Sequence, residues 1–443
     1  MKKKLLILIL FFHFTLACNY LSANVLNVPG SYATIQAALN VATTGDTVLV
    51  QPGTYFENII WPATQSIRLI SAGNSSNTTI DGGGVGTVIS CYHQNTPLDS
   101  TTVIRGFRIT NGQAGDTTVS SAYGGGIYLG WASPVMEELI INQNYVRSTN
   151  LSGGGGVFCF SSSPIIRNCK VSNNYVYGKR SYGGGIYCKY NSNLRIYNVE
   201  ISSNYLFCIG HYWTAGAGLY CETYSNPTLE KVSVISNVIA SGAGWYYGAG
   251  VHLALSTGAN FINVLIANNR FGQGFNSFYY GAGMELYSCS NILLKNVTIT
   301  DNHLPYDFFS SGSGLSSYNT QVTLENCILW NDTNAVEIWY DTIAPSISYS
   351  DIRGGWSGTG NIDTIPGFVN VNANDYHLLL SSPCLNAGTT ASVPPDDLDG
   401  NTRPMPAGTN PDMGAYEMNQ PIGISKFENN NSVVSLFPNP FTT

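Results

Sequence analysis

Four side chains able to move protons recur at repeat-like intervals in the middle of the chain: Lys189, Glu222, His252 and Glu285. Glu222 or Glu285 beside His252 would supply the acid and base needed to cleave or eliminate across a glycosidic bond, with Lys189 as a nearby positive charge. The same four also fit a solvated sheet face carrying incidental ion pairs. Charged residues make up only 10% of the chain, so few other sites for such chemistry exist. A second group points to binding rather than turnover. Tyr187, Tyr220, Tyr212, Trp213, Trp245, Tyr246, Tyr247, Tyr279 and Tyr280 carry rings that can stack on a sugar face, with hydroxyl or indole N–H groups that can hydrogen-bond its hydroxyls. The competing reading is that these rings pack on one another and stiffen long loops.

What must position these residues is an internal repeat. Glycine clusters open segments at Gly124, Gly154, Gly183, Gly216, Gly248, Gly281 and Gly312, in steps of 29 to 33 residues. Each opening is followed 20 or 21 residues later by Asn144, Asn174, Asn204, Asn237, Asn269 and Asn302, with Asp332 in the last. Between them, apolar residues alternate at period two, the strand signal. Three apolar columns result: Ile127 to Leu315, Met136 to Leu324 and Ile141 to Leu329. Three columns predict three strands per coil in an all-β, single-stranded parallel β-helix. The asparagines would satisfy backbone groups where coils bend, as would a second column at Asn168, Asn198, Asn263, Asn296 and Asn326. The remaining 8 to 12 residues of each repeat read as elastic loops on one flank, rich in rings. The position after the first apolar column, which includes Tyr187, Tyr220, His252 and Glu285, should face outward.

This register resembles the pectin-lyase-like superfamily of right-handed parallel β-helices. The opening run from Val28-Pro29-Gly30-Ser31 through Ala38-Leu39, then Gly45-Asp46-Thr47 and Pro52-Gly53-Thr54-Tyr55, is its more specific part. Physically, Ser31 can cap a short helix whose Ile35, Ala38 and Leu39 cover the open end of the core. The ring-rich flank, with the export signals below, points first to carbohydrate binding, with a polysaccharide or cell-surface glycan as partner; one alternative is a polysaccharide lyase or glycoside hydrolase. A structural adhesin or stalk is the other. The catalytic stretches of pectin methylesterases, polygalacturonases and calcium-dependent pectate lyases are not found, so enzymatic activity stays open.

The ends carry targeting signals. Lys2, Lys3 and Lys4 followed by an apolar run too short to span a bilayer read as a signal peptide over 1–23, with a competing lipoprotein-type site before Cys18. The β-helix is expected over 24–417, regular over 124–332 and irregular over 333–417. A polar linker at 418–434 then leads to Ser435-Leu436-Phe437-Pro438-Asn439-Pro440, which resembles the start of a type IX secretion sorting domain, cut short at Thr443. A secreted or cell-surface location follows. Loss of three lysines with the signal would move the formal net charge from −7 to about −10, which argues against nucleic acid and anionic membranes. Calcium is possible at the acidic cluster 396–399, but Gly400 sits too early for a calcium loop, and a tight turn with no cofactor is the reading. The ten cysteines mostly occupy inward positions and suggest few bridges. A monomer without transmembrane segments is expected.

Overall fold

The computed structural model describes residues 23–418, except 210–211, 241–243, 273–276, 306–309 and 332–334. The signal-peptide segment before residue 23, Asp332, the linker beyond Met418 and the sorting signal at 435–443 lie outside the described residues. No helix among the described residues is long and apolar enough to cross a membrane.

The repeat folds as parallel strands stacked in register. In one coil, Ile186–Lys189 belongs to a ten-stranded front sheet and Arg195–Ser202 to an eighteen-stranded back sheet. The next coil repeats both, with Ile186 opposite Leu219, Ile196 opposite Leu229 and Ile201 opposite Val234. The back strand bends at Asn198, whose φ of 51° is tolerated best by glycine and asparagine. Asn168, Asn263, Asn296 and Asn326 bend their own strands the same way. One strand therefore serves two of the three apolar columns. All three columns are fully buried in one continuous core, where each large side chain contributes about 1.5–3 kcal/mol. The described cysteines are buried, and those other than Cys208 are free, as small apolar fillers.

The corner glycines are required by geometry. At Gly248, φ is +52° and a Cβ would stand 2.1 Å from the carbonyl oxygen of Val251. Beside this corner runs the asparagine ladder. The backbone N–H and side-chain Nδ2 of Asn204 both donate to Oδ1 of Asn237, at 3.0 and 2.9 Å, and Nδ2 also donates to the carbonyl of Val171. Every rung donates toward the C-terminal coil, so the last rung needs a pure acceptor. The last rung among the described residues is Asn331, and its N–H and Nδ2 donate to the two carboxylate oxygens of the buried Glu337 at 2.9 and 2.5 Å.

The segments expected to be elastic loops hold two further strands per coil. Tyr205–Cys208 joins a six-stranded sheet and Tyr212–Ala215 a seven-stranded one. Together they form a lateral wing with its own core of Val146, Val176, Leu206, Ile239, Tyr246 and Tyr279. The three-strand coil is as the sequence indicates, and the wing is added to it. Period-two alternation in runs of three or four residues, interrupted by turns of varying length, is too brief to stand out in a sequence.

At the N-terminal end the helix Ile35–Val41 covers the core with Ile35, Ala38 and Leu39, as expected. Its cap is Thr34, which accepts the N–H of Ala37, and not Ser31, whose N–H is engaged in a turn with the carbonyl of Asn27. Both oxygens of Glu57 accept the N–H groups of Ile35 and Gln36, satisfying further donors of the helix start. Residues 375–417 run back along the back sheet, held by Lys231–Asp396 at 2.6 Å and by the Nδ2 groups of Asn263 and Asn326 on the carbonyls of Asp396 and Thr389. Within that segment Asp397 accepts from the N–H groups of Asp399, Asn401 and Glu417, so the acidic cluster forms a tight turn. No cluster of metal-ligating side chains occurs among the described residues.

Candidate functional site

The column after the first apolar column does point out of the coil, but its middle is not solvated. His252 is 5% exposed and Glu285 1%, and Tyr187 and Tyr220 are buried as well. The inner wing sheet folds over this part of the front sheet and lays Tyr182, Tyr247 and Tyr280 on it. The expectation of an exposed face is corrected on that ground: the covering strands came from segments read as loops.

Glu222 gathers three donors. The hydroxyls of Tyr187 and Tyr220 donate to it at 2.5 and 3.1 Å, and Lys189 Nζ pairs with it at 3.0 Å. Burial works against the charge of Lys189, yet Glu222 overrides it and holds the ammonium above its usual range. Tyr187 and Tyr220 stack at 5.1 Å and 12°, and burial, reinforced by Glu222, pushes both phenols far up. One strand further, His252 lies 5.0 Å from the Tyr220 ring and 5.6 Å from that of Tyr247, ring centre to ring centre. Burial lowers its pKa to about 3, so the imidazole is neutral, and its Nδ1 has no hydrogen-bond partner among the described residues. Glu285, opposite His252 in the next strand, is driven well above the carboxylate range by burial, partly offset by Ser316. One of its oxygens is also without a hydrogen-bond partner among the described residues. The four candidates are therefore brought together as two pairs: the Glu222–Lys189 salt bridge near the surface, and His252 with Glu285, both kept neutral, beneath the wing.

The wing and the front sheet enclose a cleft of about 320 Å³. Tyr182, Trp213, Ala215 and Tyr247 line it from the wing; Tyr220, Glu222, His252, Ala254, Leu255 and Tyr287 line it from the front-sheet side. Of the rings expected to bind carbohydrate, Tyr220, Trp213 and Tyr247 line the cleft. Trp213 is 58% exposed at its mouth. Trp245 is exposed one rung along, stacked on Phe278 at 5.8 Å, and Tyr280 stacks on Tyr247. Tyr187 lies behind Tyr220. Tyr246 and Tyr279 are corrected: alternation turns them the other way, into the wing core, where they stack at 5.5 Å and no ligand reaches. Tyr212 packs against the same core, beneath Lys179 and Arg180.

Sequence reasoning placed Tyr182 among the loop rings and Tyr287 and Ala254 on the outward face without singling them out, and it missed Ala215 and Leu255 as lining residues. Ala254 and Tyr287 stand two residues after His252 and Glu285, so the repeat alignment carried them, but nothing in it marks an alanine as the floor of a cleft. Another ring cluster, Tyr145, Tyr175, Tyr177, Tyr205 and Phe207, borders a shallower hollow of about 220 Å³ on the outer wing sheet. There Tyr177 has Phe207 stacked on it at 6° and Arg147 over its ring at 4.8 Å, so its faces are already covered.

Stacked parallel coils, a buried asparagine ladder and a helical lid define a parallel β-helix. Residues 57–282 match the right-handed β-helix region family, and the chain belongs to that family. No curated protein matches it in sequence. Among solved structures it is similar to the pectate lyase Pel9A, at 14% identity over 90% of this chain and 97% of that one, with a TM-score of 0.42. It is also similar to the A-module of the Azotobacter vinelandii mannuronan C-5 epimerase AlgE6, at 15% identity over 75% and 95%, with a TM-score of 0.34.

Proposed function

We propose that this β-helix protein binds carbohydrate in the cleft between wing and front sheet. The observation that carries the reading is the convergence, in one cavity, of ring surfaces from Trp213, Tyr247 and Tyr287 with the carboxylate of Glu222 and the neutral imidazole of His252. Apolar walls with a few placed polar groups are what a sugar requires, since its ring faces are apolar and its edge is hydroxyl. The proposal is of binding rather than turnover. Glu285 and His252 are held uncharged beneath the wing, and Glu222 is occupied by Lys189 and two phenols.

Export belongs to the same reading. The charged start and short apolar run at 1–23, and the sorting-like motif at 435–443, support a secreted or cell-surface protein that meets glycans outside the cell. N-terminal sequencing of the protein recovered from culture medium or from the cell surface tests this; an intact Met1 on material found only inside the cell would contradict it.

The binding test is a panel of neutral plant and algal polysaccharides, run for capture and for depolymerisation. Capture without cleavage is expected. Trp213→Ala and Tyr287→Ala should each weaken capture by about tenfold, roughly 1.4 kcal/mol, with little change in thermal midpoint, because both rings are substantially exposed. Cleavage abolished by Glu285→Gln would replace the binding reading with a catalytic one.

A further inference from the structure

The cleft lies where two ladders of side chains carry an alanine in successive coils, beside the rings of Tyr247 and Tyr287. Along the inner wing sheet one column runs Gly153, Tyr182, Ala215, Tyr247, Tyr280. Along the front sheet another runs Glu222, Ala254, Tyr287, Tyr318. A missing ring does not by itself leave a cleft. Gly153 has no ring either, yet a Cβ there would stand 2.4 Å from Cδ1 of Tyr187, so a neighbour has closed that gap. At Gly130 the ring of Tyr92 does the same at 2.6 Å. Ala215 and Ala254 instead line the open cleft.

The rings bordering the gaps are half-used. Tyr247 stacks one face on Tyr280 at 5.3 Å and 12°, and Tyr287 stacks one face on Tyr318 at 5.0 Å and 7°. Their opposite faces border the missing rungs. Rings stacked from coil to coil lie across the solenoid axis, so a ring that replaces a missing rung enters the cleft edge-on. Behind it the buried Tyr220, His252, Ala215 and Ala254 close the floor, and His252 Nδ1 is a buried hydrogen-bonding atom with no partner among the described residues. In front, the mouth opens between Trp213 and Leu255, both exposed.

We infer that the cleft recognises the end of a neutral glycan chain, its terminal pyranose entering the gap that the two alanine rungs leave in successive coils while the rest of the chain leaves past Trp213. This rests on the glycan reading above and adds a direction to it. A residue linked on both sides would drive one linkage into the closed floor, so the middle of a chain is refused. The floor offers a neutral imidazole and phenols rather than a cation, and the chain's net charge is −7, which disfavours acidic sugars.

The test uses the full chain and four neutral polymers: a β-1,4-glucan, a xylan, a β-mannan and a starch-type α-glucan. Each is presented intact and, at equal mass, after partial endo-hydrolysis. End recognition predicts that the amount of protein bound per gram rises in proportion to the chain ends released. It also predicts that Ala215→Tyr, which restores the missing rung, weakens binding about tenfold or more while the thermal midpoint is kept. Ala254→Tyr serves the same purpose if the first variant does not fold. Binding that stays flat per gram on hydrolysis overturns end recognition and leaves the glycan reading standing. Wild-type affinity in a folded Ala215→Tyr or Ala254→Tyr protein overturns the placement in this cleft. Failure to bind any of the polymers, intact or hydrolysed, overturns both readings together.

Discussion

Glu285 and His252 were visible in the sequence as proton-moving residues one coil apart, and their environment is what the sequence did not carry. Both are buried under strands that arise from segments of irregular length, and burial reverses the chemistry expected of them. A carboxyl group whose folded pKa lies above its unfolded value contributes stability that is complete below the unfolded pKa and is lost as pH rises through the folded one. Glu285 is such a group. Glu285→Gln should therefore stabilise the protein at pH 8 by about 1 kcal/mol or more, and make little difference at pH 4. Urea unfolding at the two pH values checks this; equal midpoints at pH 8 would mean that Glu285 is ionised and compensated. His252 behaves oppositely. Its folded pKa of about 3 lies below the unfolded value, so its neutral burial costs stability as pH falls from about 6.5 toward 3.

At the scale of elements, the apolar columns and the asparagine positions were legible because in-register stacking repeats one environment coil after coil, and a repeated environment selects a repeated residue type. The ladder's terminus was not legible. Glu337 is a single residue with no repeat to announce it, and its role follows only from the direction in which the amides donate. The same holds for Thr34 at the helix cap, three residues from the expected Ser31. Asn204→Ala removes a buried amide that donates to Asn237 and Val171 and accepts from Asn174, leaving those groups unpaired. A loss of about 3 kcal/mol is expected, well beyond that of an exposed asparagine such as Asn193. Denaturant unfolding of the two alanine variants decides it, and equal midpoints would show that water can replace the ladder.

For the whole molecule, the long-range feature hidden from the sequence is the return of residues 375–417 along the back sheet. Those residues read as irregular because their partners lie far away in sequence: Tyr376 and Tyr416 pack against Leu265 and Ala267. His377 helps hold the segment together, with Nδ1 2.6 Å from Asp375 and Nε2 2.7 Å from Asp399. The bond to Asp399, outweighing partial burial, and the bond to Asp375 raise its pKa to about 9. A raised histidine contributes stability that is complete below about 6.5 and disappears as pH rises through about 9. The segment should loosen between pH 7 and 10, seen as faster amide exchange at 397–416 after correction for intrinsic rates. His377→Gln should already show the faster exchange at pH 7, and a pH-independent rate in the wild type would remove this histidine from the attachment.

The central claim, that the gap between two ring ladders is a glycan site, is met most directly by a crystal structure of the protein soaked with whichever hydrolysed neutral glycan it captures best. The account predicts density for a sugar ring against the free face of Tyr247 or of Tyr287, with its hydroxyls reaching Glu222 or His252. An empty cleft with sugar bound elsewhere, as on the Tyr145, Tyr175 and Tyr205 column of the outer wing, would contradict it.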